Sequence, residues 1–318
     1  MNKLHEYQKT ALAPLEKALK KAVADAEPEA AIEAAGRIQE LFPDDRRHPR
    51  LLRAKLWAYE ACVDANRLMY AETGLIGIRR LAGAKTRLYL EASGLLAITL
   101  LRQKKVNESK KLIREVIKNI NNIESDRTRH QFQKRFIQRV EEECILAELI
   151  DSGDGLLDAA EVESKAILLL QRNSDEEILK LIGNSVPSAS ITLLADVRSY
   201  SLQQLPAPDR LLLPSPEKAE EPKHIGKTTF ALLRRIAWKT FCKPNSPVYK
   251  LWSNRVPKVF NDGYFTAAVI AALSDFRIGV PLIASGIAAL AMKYSAEEFC
   301  KLAKPKGLMI SSDEREIG

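Results

Sequence analysis

The chain has 318 residues, of which 46% are hydrophobic and 28% charged. That balance is typical of a folded globular protein and excludes a disordered or fibrous one. The formal net charge is +8. Residues 223–318 hold 15 basic and 7 acidic residues, so the whole excess lies in the last third of the chain and the first 222 residues are neutral.

Cysteine and histidine usage argues against metal binding and disulfide stapling. The four histidines are not spaced as metal ligands, and no two cysteines form a CxxC pair. We therefore expect no structural zinc site, no disulfide framework and no cofactor. The N-terminal sequence MNKLHEYQKT lacks the apolar run of a signal peptide, which favours a reducing, cytoplasmic setting. The cysteines are Cys62, Cys144, Cys242 and Cys300.

Proline positions divide the chain. None occurs from Arg50 to Val186, and this stretch is rich in Ala, Leu, Glu, Lys and Arg, so it predicts packed helices. Five prolines then fall between Pro206 and Pro222, around a charged EKAEE run, which is typical of a linker. For residues 185–205 the pattern does not distinguish a helix from extended chain. The predicted organisation is a helical domain over 1–200, a proline-rich linker over 201–222 and a second helical domain over 223–318.

Apolar residues in the first domain recur at helical spacing. Residues 30–42 carry one such stripe, and a second follows the turn FPDDRRHP in LRAKLWAYEACVDANRL. The sequence EAAIEAAGRIQELFPDD…LRAKLWAYEA resembles the end of one tetratricopeptide repeat and the start of the next. Weaker matches are SGLLAITLLRQKKVNESKKLIREVIKNI and DAAEVESKAILLLQRNSDEEILKLIGN. The first stripe consists of Ala31, Ala34, Ala35, Ile38 and Phe42; the second, of Leu52, Leu56, Tyr59 and Val63.

The tetratricopeptide resemblance covers roughly residues 15–180, without a regular repeat length and with most of the family's aromatic and glycine positions absent. It implies an all-α array of helical hairpins whose surface binds a protein partner, and it assigns no ligand residues. Such hairpins must stack to bury their apolar faces, which creates a curved surface suited to a peptide or a partner domain. The alternative is a helical bundle without a groove.

Two stretches look like known sites and fail on inspection. HIGKTT ends like a phosphate-binding loop, but Glu221 stands where the motif needs its first glycine, and a proline-rich segment precedes it. IDSGDGLLDAAE resembles a calcium loop, but Ile150 occupies the first ligand position. There we favour a turn followed by a helix that Asp158 and Glu161 start with a capping box. No other catalytic motif is present, so we expect a non-enzymatic protein.

Residues 127–139, RTRHQFQKRFIQR, contain five Lys or Arg residues and no acidic residue. Positive charge at the start of a helix opposes the macrodipole and would suit an anionic partner. Phe132, Phe136 and Val140 nevertheless form an ordinary buried stripe, and Arg139 can pair with Glu143 one turn later. We interpret this segment as a solvated helix face.

The basic segment, residues 223–258, has nine Lys or Arg residues, no acidic residue and five interleaved aromatics. Its pattern predicts a helix over 227–243 with apolar and basic residues on opposite faces. Such a helix suits an anionic membrane surface, and aromatics among cations also suit nucleic acid or an acidic protein. The alternative is a solvated helix whose acidic partners lie on the neutral first domain. The residues expected to bind an anionic surface are Arg234, Arg235, Trp238, Lys239, Lys243, Lys250 and Trp252.

Two apolar runs follow, at 265–274 and 278–292, separated by Asp275, Phe276 and Arg277. As helices they would be about 15 and 22 Å long, shorter than a hydrocarbon core of about 30 Å. We therefore expect a buried, Ala-rich hairpin in a small C-terminal domain. Ser285 and Gly286 allow its helices to pack closely. The alternatives are that the hairpin inserts into a membrane on activation or that it forms a homo-oligomer. Its predicted apolar residues are Val269, Ile270, Leu273, Leu282, Ile283, Ile287 and Leu290.

The block formed by the basic segment, the hairpin and the final FCKLAKPKGLM is similar to C-terminal modules of bacterial proteins associated with phage defence. The leading hypothesis is a cytoplasmic adaptor or scaffold subunit of a bacterial complex, with antiviral defence as the context that this similarity suggests. In it the tetratricopeptide-like domain binds a protein and the basic domain docks on a partner or an anionic surface. The alternatives are a membrane-active effector that uses the 265–292 hairpin and a nucleic-acid-binding subunit that uses 223–258.

Overall fold

A computed structural model describes residues 5–152, 157–210, 213–243, 246–253, 263–304 and 307–308. Within these ranges the chain forms 17 α-helices and a single 3-10 turn, and no strand. The all-α prediction is therefore confirmed. Residues 185–205, which the sequence left undecided, are helical over Ser188–Gln204.

The chain divides into two compact units. Unit 1 comprises residues 1–139, 200–210 and 306–318, and unit 2 comprises 140–199 and 211–305. The first half of the predicted linker thus belongs to unit 1 and the second half to unit 2. Two short helices, Ala207–Arg210 (α11) and Pro216–Glu220 (α12), form within it. Whether 1–200 and 223–318 fold independently stays a prediction.

Unit 1 begins with six helices that pack as successive hairpins. Each contacts the next in the chain, and α1, α3 and α5 also contact one another in order, which is the packing of a stacked array of helix pairs. The predicted stripes form its core: Ala31, Ile38, Leu52 and Leu56 are all buried. The six helices are α1 (Glu6–Ala24), α2 (Pro28–Glu40), α3 (Pro49–Asp64), α4 (Leu68–Leu81), α5 (Arg87–Arg102) and α6 (Val106–Lys118).

The same turn ends each odd-numbered helix of this array. Ala26, Asn66 and Lys104, which follow α1, α3 and α5, all have positive φ angles of 51°, 62° and 60°. The next backbone N–H after each donates to a carbonyl five residues earlier, as in a Schellman motif. The following helix starts immediately, so three hairpins share one connection. This repetition comes from backbone geometry and has no matching consensus in the residues.

Helix α7 (Asp126–Leu149) continues the stacking in unit 1. A Cβ on Gly94 of α5 would lie 3.2 Å from a ring carbon of Phe136, so the missing side chain lets α7 approach α5 closely. Phe132 and Phe136 are buried and their rings stack 5.8 Å apart. The apolar stripe predicted for residues 127–139 is confirmed.

Unit 2 is organised around α13, which packs against α9, α12, α14, α15, α16 and α17. Where α13 meets α9, Gly226 and Gly183 let the two backbones touch. The HIGKTT sequence is therefore helical, and its glycine serves helix packing. The helices of this unit are α8 (Ala159–Arg172), α9 (Asp175–Asn184), α10 (Ser188–Gln204, to residue 199), α12, α13 (Pro222–Phe241), α14 (Pro247–Ser253), α15 (Gly263–Ser274), α16 (Pro281–Met292) and α17 (Ala296–Ala303).

The helix start predicted at Asp158 is confirmed, with Asp158 acting as a side-chain cap. The Asp158 side chain accepts a hydrogen bond from the Glu161 backbone at 2.9 Å and caps α8. Ser295 and Glu298 form a full capping box at the start of α17. The calcium-like stretch at 150–161 runs through residues 153–156, which lie outside the described residues.

A disulfide bond joins Cys242, at the end of α13, to Cys300 in α17. The expectation of a chain without disulfide bonding is therefore wrong for this pair. The two cysteines lie 58 positions apart, and only the packing of α17 on α13 brings them together. Local spacing could not reveal it. Cys62 and Cys144 are buried thiols that take no part in this disulfide, and burial raises the pKa of Cys62 to about 11.

Candidate functional site

Helices α3, α5 and α7 share a buried ionic cluster in unit 1. Arg139 of α7 and Arg102 of α5 both approach Asp64 at the end of α3, at 2.5 and 3.8 Å from its Oδ1. Arg102 also donates to the backbone carbonyl of Val63 at 2.5 Å. The cluster fixes the C-terminal ends of α3 and α5 against α7. Arg139, for which the sequence suggested Glu143, therefore has Asp64 as a partner.

A second interaction on α3 involves the end of the chain. Glu60 is 5% exposed, and its carboxylate accepts a hydrogen bond from the backbone N–H of Leu308. Leu308 itself is 4% exposed. A Cβ on Gly307 would lie 3.3 Å from both carboxylate oxygens of Glu60. Two consecutive residues near the C-terminus thus pack against α3 of the hairpin array.

Asp209 holds α11 against the basic half of α7. It is fully buried, and its carboxylate lies 3.4 Å from Nε of Arg129 and 2.5 Å from Nε2 of His130. Gln133 donates to the Asp209 backbone oxygen at 2.9 Å. The positive charge at the start of α7 is thus met in part by an acidic residue of the same unit, with Asp126 also pairing with Arg129.

The basic segment contains two predicted surface residues that lie inside unit 2. Arg235 is 9% exposed and its guanidinium lies 3.0 Å from Glu142 and 3.2 Å from Glu143 on α7. Trp238 is 5% exposed, and its indole N–H donates to the carbonyl of Cys300 at 3.1 Å. Neither side chain lies on an exposed basic face. For Arg235, the alternative of a solvated helix is correct about the acidic partners, which fall within the predicted first domain, but wrong about solvation, because the side chain is buried.

The other basic residues of this segment are more accessible. Lys250 is exposed, and Arg234, Lys239 and Lys243 are half-buried, with Arg234 over the ring of Phe230 at 5.5 Å. Lys227, absent from the predicted set, is also exposed. The side chain of Trp252 and residues 254–258 lie outside the described residues.

Three consecutive buried acids on α7 pair with arginines inside unit 2. Besides Glu142 and Glu143, Glu141 accepts from Nε of Arg198 at 2.7 Å, and Arg198 donates to the Ala219 carbonyl at 2.5 Å. Burial lowers the pKa of the nearby His224, an effect that the charge of Glu141 opposes. These pairs anchor α10, α12 and α13 to α7 within unit 2, so they have a structural role.

The Ala-rich hairpin forms, and α15 packs against α16. Val269, Leu273, Ile283, Ile287 and Leu290 are buried, whereas Ile270 is half-buried and Leu282 is 37% exposed. Its faces are covered by α8, α9 and α13, and Gly286 lies against Ile182 of α9. Among the described helices, none is by itself long and apolar enough to cross a membrane; the pair α9 and α10, bent by 97°, passes that test only when taken together.

Within the described ranges, His, Cys, Asp and Glu side chains form no cluster of three or more that could hold a metal ion. Of the interactions above, the contact of Glu60 with residues 307–308 is the one in which two residues from near the C-terminus pack on the hairpin array. Local sequence patterns did not predict it, although the apolar residues of KPKGLM within a polar tail were a visible signal.

Comparison with known proteins adds no relative. The chain matches no protein-family model, no curated protein and no solved structure.

Proposed function

We propose that the protein is a non-enzymatic adaptor whose helical-hairpin array, α1–α6, binds a protein partner. The observation that supports this is the packing of α1, α3 and α5 in order, each followed by the same turn. Stacked helix pairs of this kind expose an extended surface formed by equivalent helices. The role within a bacterial defence complex is part of the same proposal and rests on the resemblance of the C-terminal block.

The test is capture of a partner with the full chain as bait, followed by chemical cross-linking. The exposed Lys17, Lys85 and Lys111 report on the array, and Lys250 reports on unit 2. We expect one protein in near-stoichiometric amount, cross-linked to the array lysines. Recovery of background proteins alone, or cross-links confined to Lys250, would contradict the proposal.

The second part of the proposal is that the accessible basic residues of α13 and α14 dock on an anionic partner. The informative variant is Lys227→Glu with Lys250→Glu, because both side chains are exposed. Lys17→Glu with Lys85→Glu is the matched control, since it makes the same charge change at two exposed positions of unit 1. Flotation with anionic liposomes and a salt series on a labelled oligonucleotide separate membrane from nucleic acid. Loss of binding in the control alone would count against surface docking.

Cytoplasmic location also belongs to this proposal, and the Cys242–Cys300 pair provides its test. Thiols of cytosolic proteins are kept reduced by glutathione and thioredoxin. Because Cys242 is buried in the folded chain, the cells are quenched with acid and the protein is alkylated under denaturing conditions; both cysteines of a cytoplasmic protein should then be labelled. Complete protection of both cysteines would indicate an oxidising compartment.

A further inference from the structure

We propose that the face of α3 around Glu60 is a binding site for a peptide that carries a glycine followed by an aliphatic residue. Residues 307–308 of the chain occupy that site in cis. The inference rests on the proposed function and deepens it, because it states which part of the array recognises a partner and by what chemistry.

Recognition begins with the Glu60 carboxylate. A buried charge is costly unless it is hydrogen-bonded, and the backbone N–H of Leu308 supplies a donor. Hydrogen bonds to an ionised acceptor are stronger than neutral ones. Since the donor is a main-chain group, any peptide that follows the same backbone path can provide it.

The two side-chain positions supply selectivity. Leu308 is buried, so the surface accepts an aliphatic side chain there and disfavours a charged one. At Gly307 a Cβ would be 3.3 Å from both oxygens of Glu60, tighter than ordinary van der Waals contact. A larger residue at that position would have to push the carboxylate away from the N–H that it binds. Glycine followed by an aliphatic residue meets both conditions without a shift of Glu60, whereas a methyl group at the first position needs a shift of a few tenths of an ångström and a β-branched side chain needs more.

The occupant is a segment from the end of the chain. Leu308 lies 248 positions after Glu60, so the contact is a long-range one between an array helix and the C-terminal tail. A tethered ligand competes at an effective concentration of the order of millimolar. A partner peptide of micromolar affinity must therefore displace the tail, which lowers its apparent affinity for the full chain.

The experiment measures binding of a fluorescein-labelled peptide with the sequence of residues 303–314 to the full chain by anisotropy. The wild-type chain is compared with the Leu308→Asp variant, whose own tail no longer fits while the α3 face is unchanged. We expect the variant to bind the peptide at least about tenfold more tightly than the wild type. Equal binding by both chains would overturn cis occupancy, and an absence of binding to a variant that melts like the wild type would overturn the site.

Peptide and protein controls test the recognition itself. Peptides with Gly307→Val or Leu308→Asp should lose most of their affinity for the Leu308→Asp chain. Adding Glu60→Gln to that chain should weaken binding several-fold, because the charged acceptor is replaced by a neutral one. Glu40→Gln, on an exposed position of α2, should have no effect. Binding that ignores both peptide changes would contradict the assigned specificity.

If the Leu308→Asp chain fails to fold, a protease recognition sequence inserted after Lys304 of the wild-type chain replaces it. After cleavage of the folded protein, the released tail should exchange with labelled peptide in a one-to-one ratio. A tail that leaves without peptide binding would overturn the inference. If a partner cross-links to the array lysines but the peptide does not bind, this inference alone is overturned. If the peptide binds but no partner is captured, the proposed function alone is overturned.

Discussion

Gly183 of α9 and Gly226 of α13 face each other at the crossing of the two helices, and neither position has room for a side chain. A Cβ on Gly226 would overlap the backbone carbonyl of Leu179, and one on Gly183 would overlap that of Pro222. Backbone atoms cannot move aside as the end of a flexible side chain can. Unit 2 is therefore built on a glycine-to-glycine helix contact.

Gly226→Ala should accordingly destabilise the protein by about 2 kcal/mol or more, because the added methyl group forces the helices apart. Gly36→Ala is the matched control: Gly36 is an exposed helical glycine with nothing within 4 Å of the added Cβ. It should stabilise the protein by about 0.5–1 kcal/mol. Urea unfolding of the two variants measures both values. A Gly226→Ala variant as stable as wild type would refute the close crossing.

Arg235 provides a test of the buried ionic contact with Glu142 and Glu143. Arg235→Met removes the guanidinium that faces both carboxylates, and breaking a buried ion pair costs about 3–5 kcal/mol. Lys250→Met, on the surface of the same unit, should change stability by less than about 0.5 kcal/mol. Thermal and urea unfolding distinguish the two. Equal, small effects would mean that Arg235 behaves as a surface residue.

The Arg235 contact also illustrates what sequence reasoning reached and what it missed. Absence of proline from Arg50 to Val186 and the stripe at residues 30–42 predicted helices and their buried faces, because these are local properties. Arg235 and Glu143 are 92 positions apart, and no local pattern indicates which basic residue turns inward. The same limit applies to Glu60 and Leu308, whose pairing depends on how the chain end returns to α3.

The shared turn after the odd-numbered helices predicts a stabilising substitution. Lys104 has a φ of 60°, where a Cβ costs free energy that glycine avoids. Lys104→Gly should raise the free energy of unfolding by about 0.5–1 kcal/mol. Lys111→Gly, in the interior of α6, should lower it by about 1 kcal/mol. Opposite signs for the same chemical change are the expected result, and two losses would contradict the positive φ.

The Cys242–Cys300 disulfide should contribute strongly to the stability of unit 2. A cross-link across 58 positions restricts the unfolded chain, which is worth about 4 kcal/mol in the chain-entropy model. Reduction with dithiothreitol should therefore lower the melting temperature. The double variant Cys242→Ser with Cys300→Ser should have a melting temperature close to that of the reduced wild type, and dithiothreitol should not change it. A wild type that is equally indifferent to reductant would show that the bond contributes no stability.

His48 should make the stability of unit 1 depend on pH. Its Nδ1 accepts a hydrogen bond from the Arg50 backbone N–H at 3.3 Å at the start of α3, and its ring stacks on Phe42 at 4.0 Å. Burial lowers the pKa of His48 from its ordinary value of 6.5; Asp45 opposes this shift and Arg50 adds to it. The unfolded chain therefore takes up its proton at higher pH than the folded one. The stabilising contribution is complete above pH 6.5 and is lost as the pH falls from there towards the lower folded-state pKa.

His48→Asn isolates this effect, because Asn also accepts at the start of a helix but does not titrate. Burial lowers the pKa of His224 as well, so the comparison must be made between chains that differ at His48 alone. Urea unfolding at pH 7.5 and pH 5.5 should show a smaller loss of stability on acidification for His48→Asn than for the wild type. A His5→Asn variant, altered at an exposed position, should keep the wild-type loss. If His48→Asn loses as much stability as the wild type between the two pH values, the proton uptake lies elsewhere and His48 does not control the start of α3.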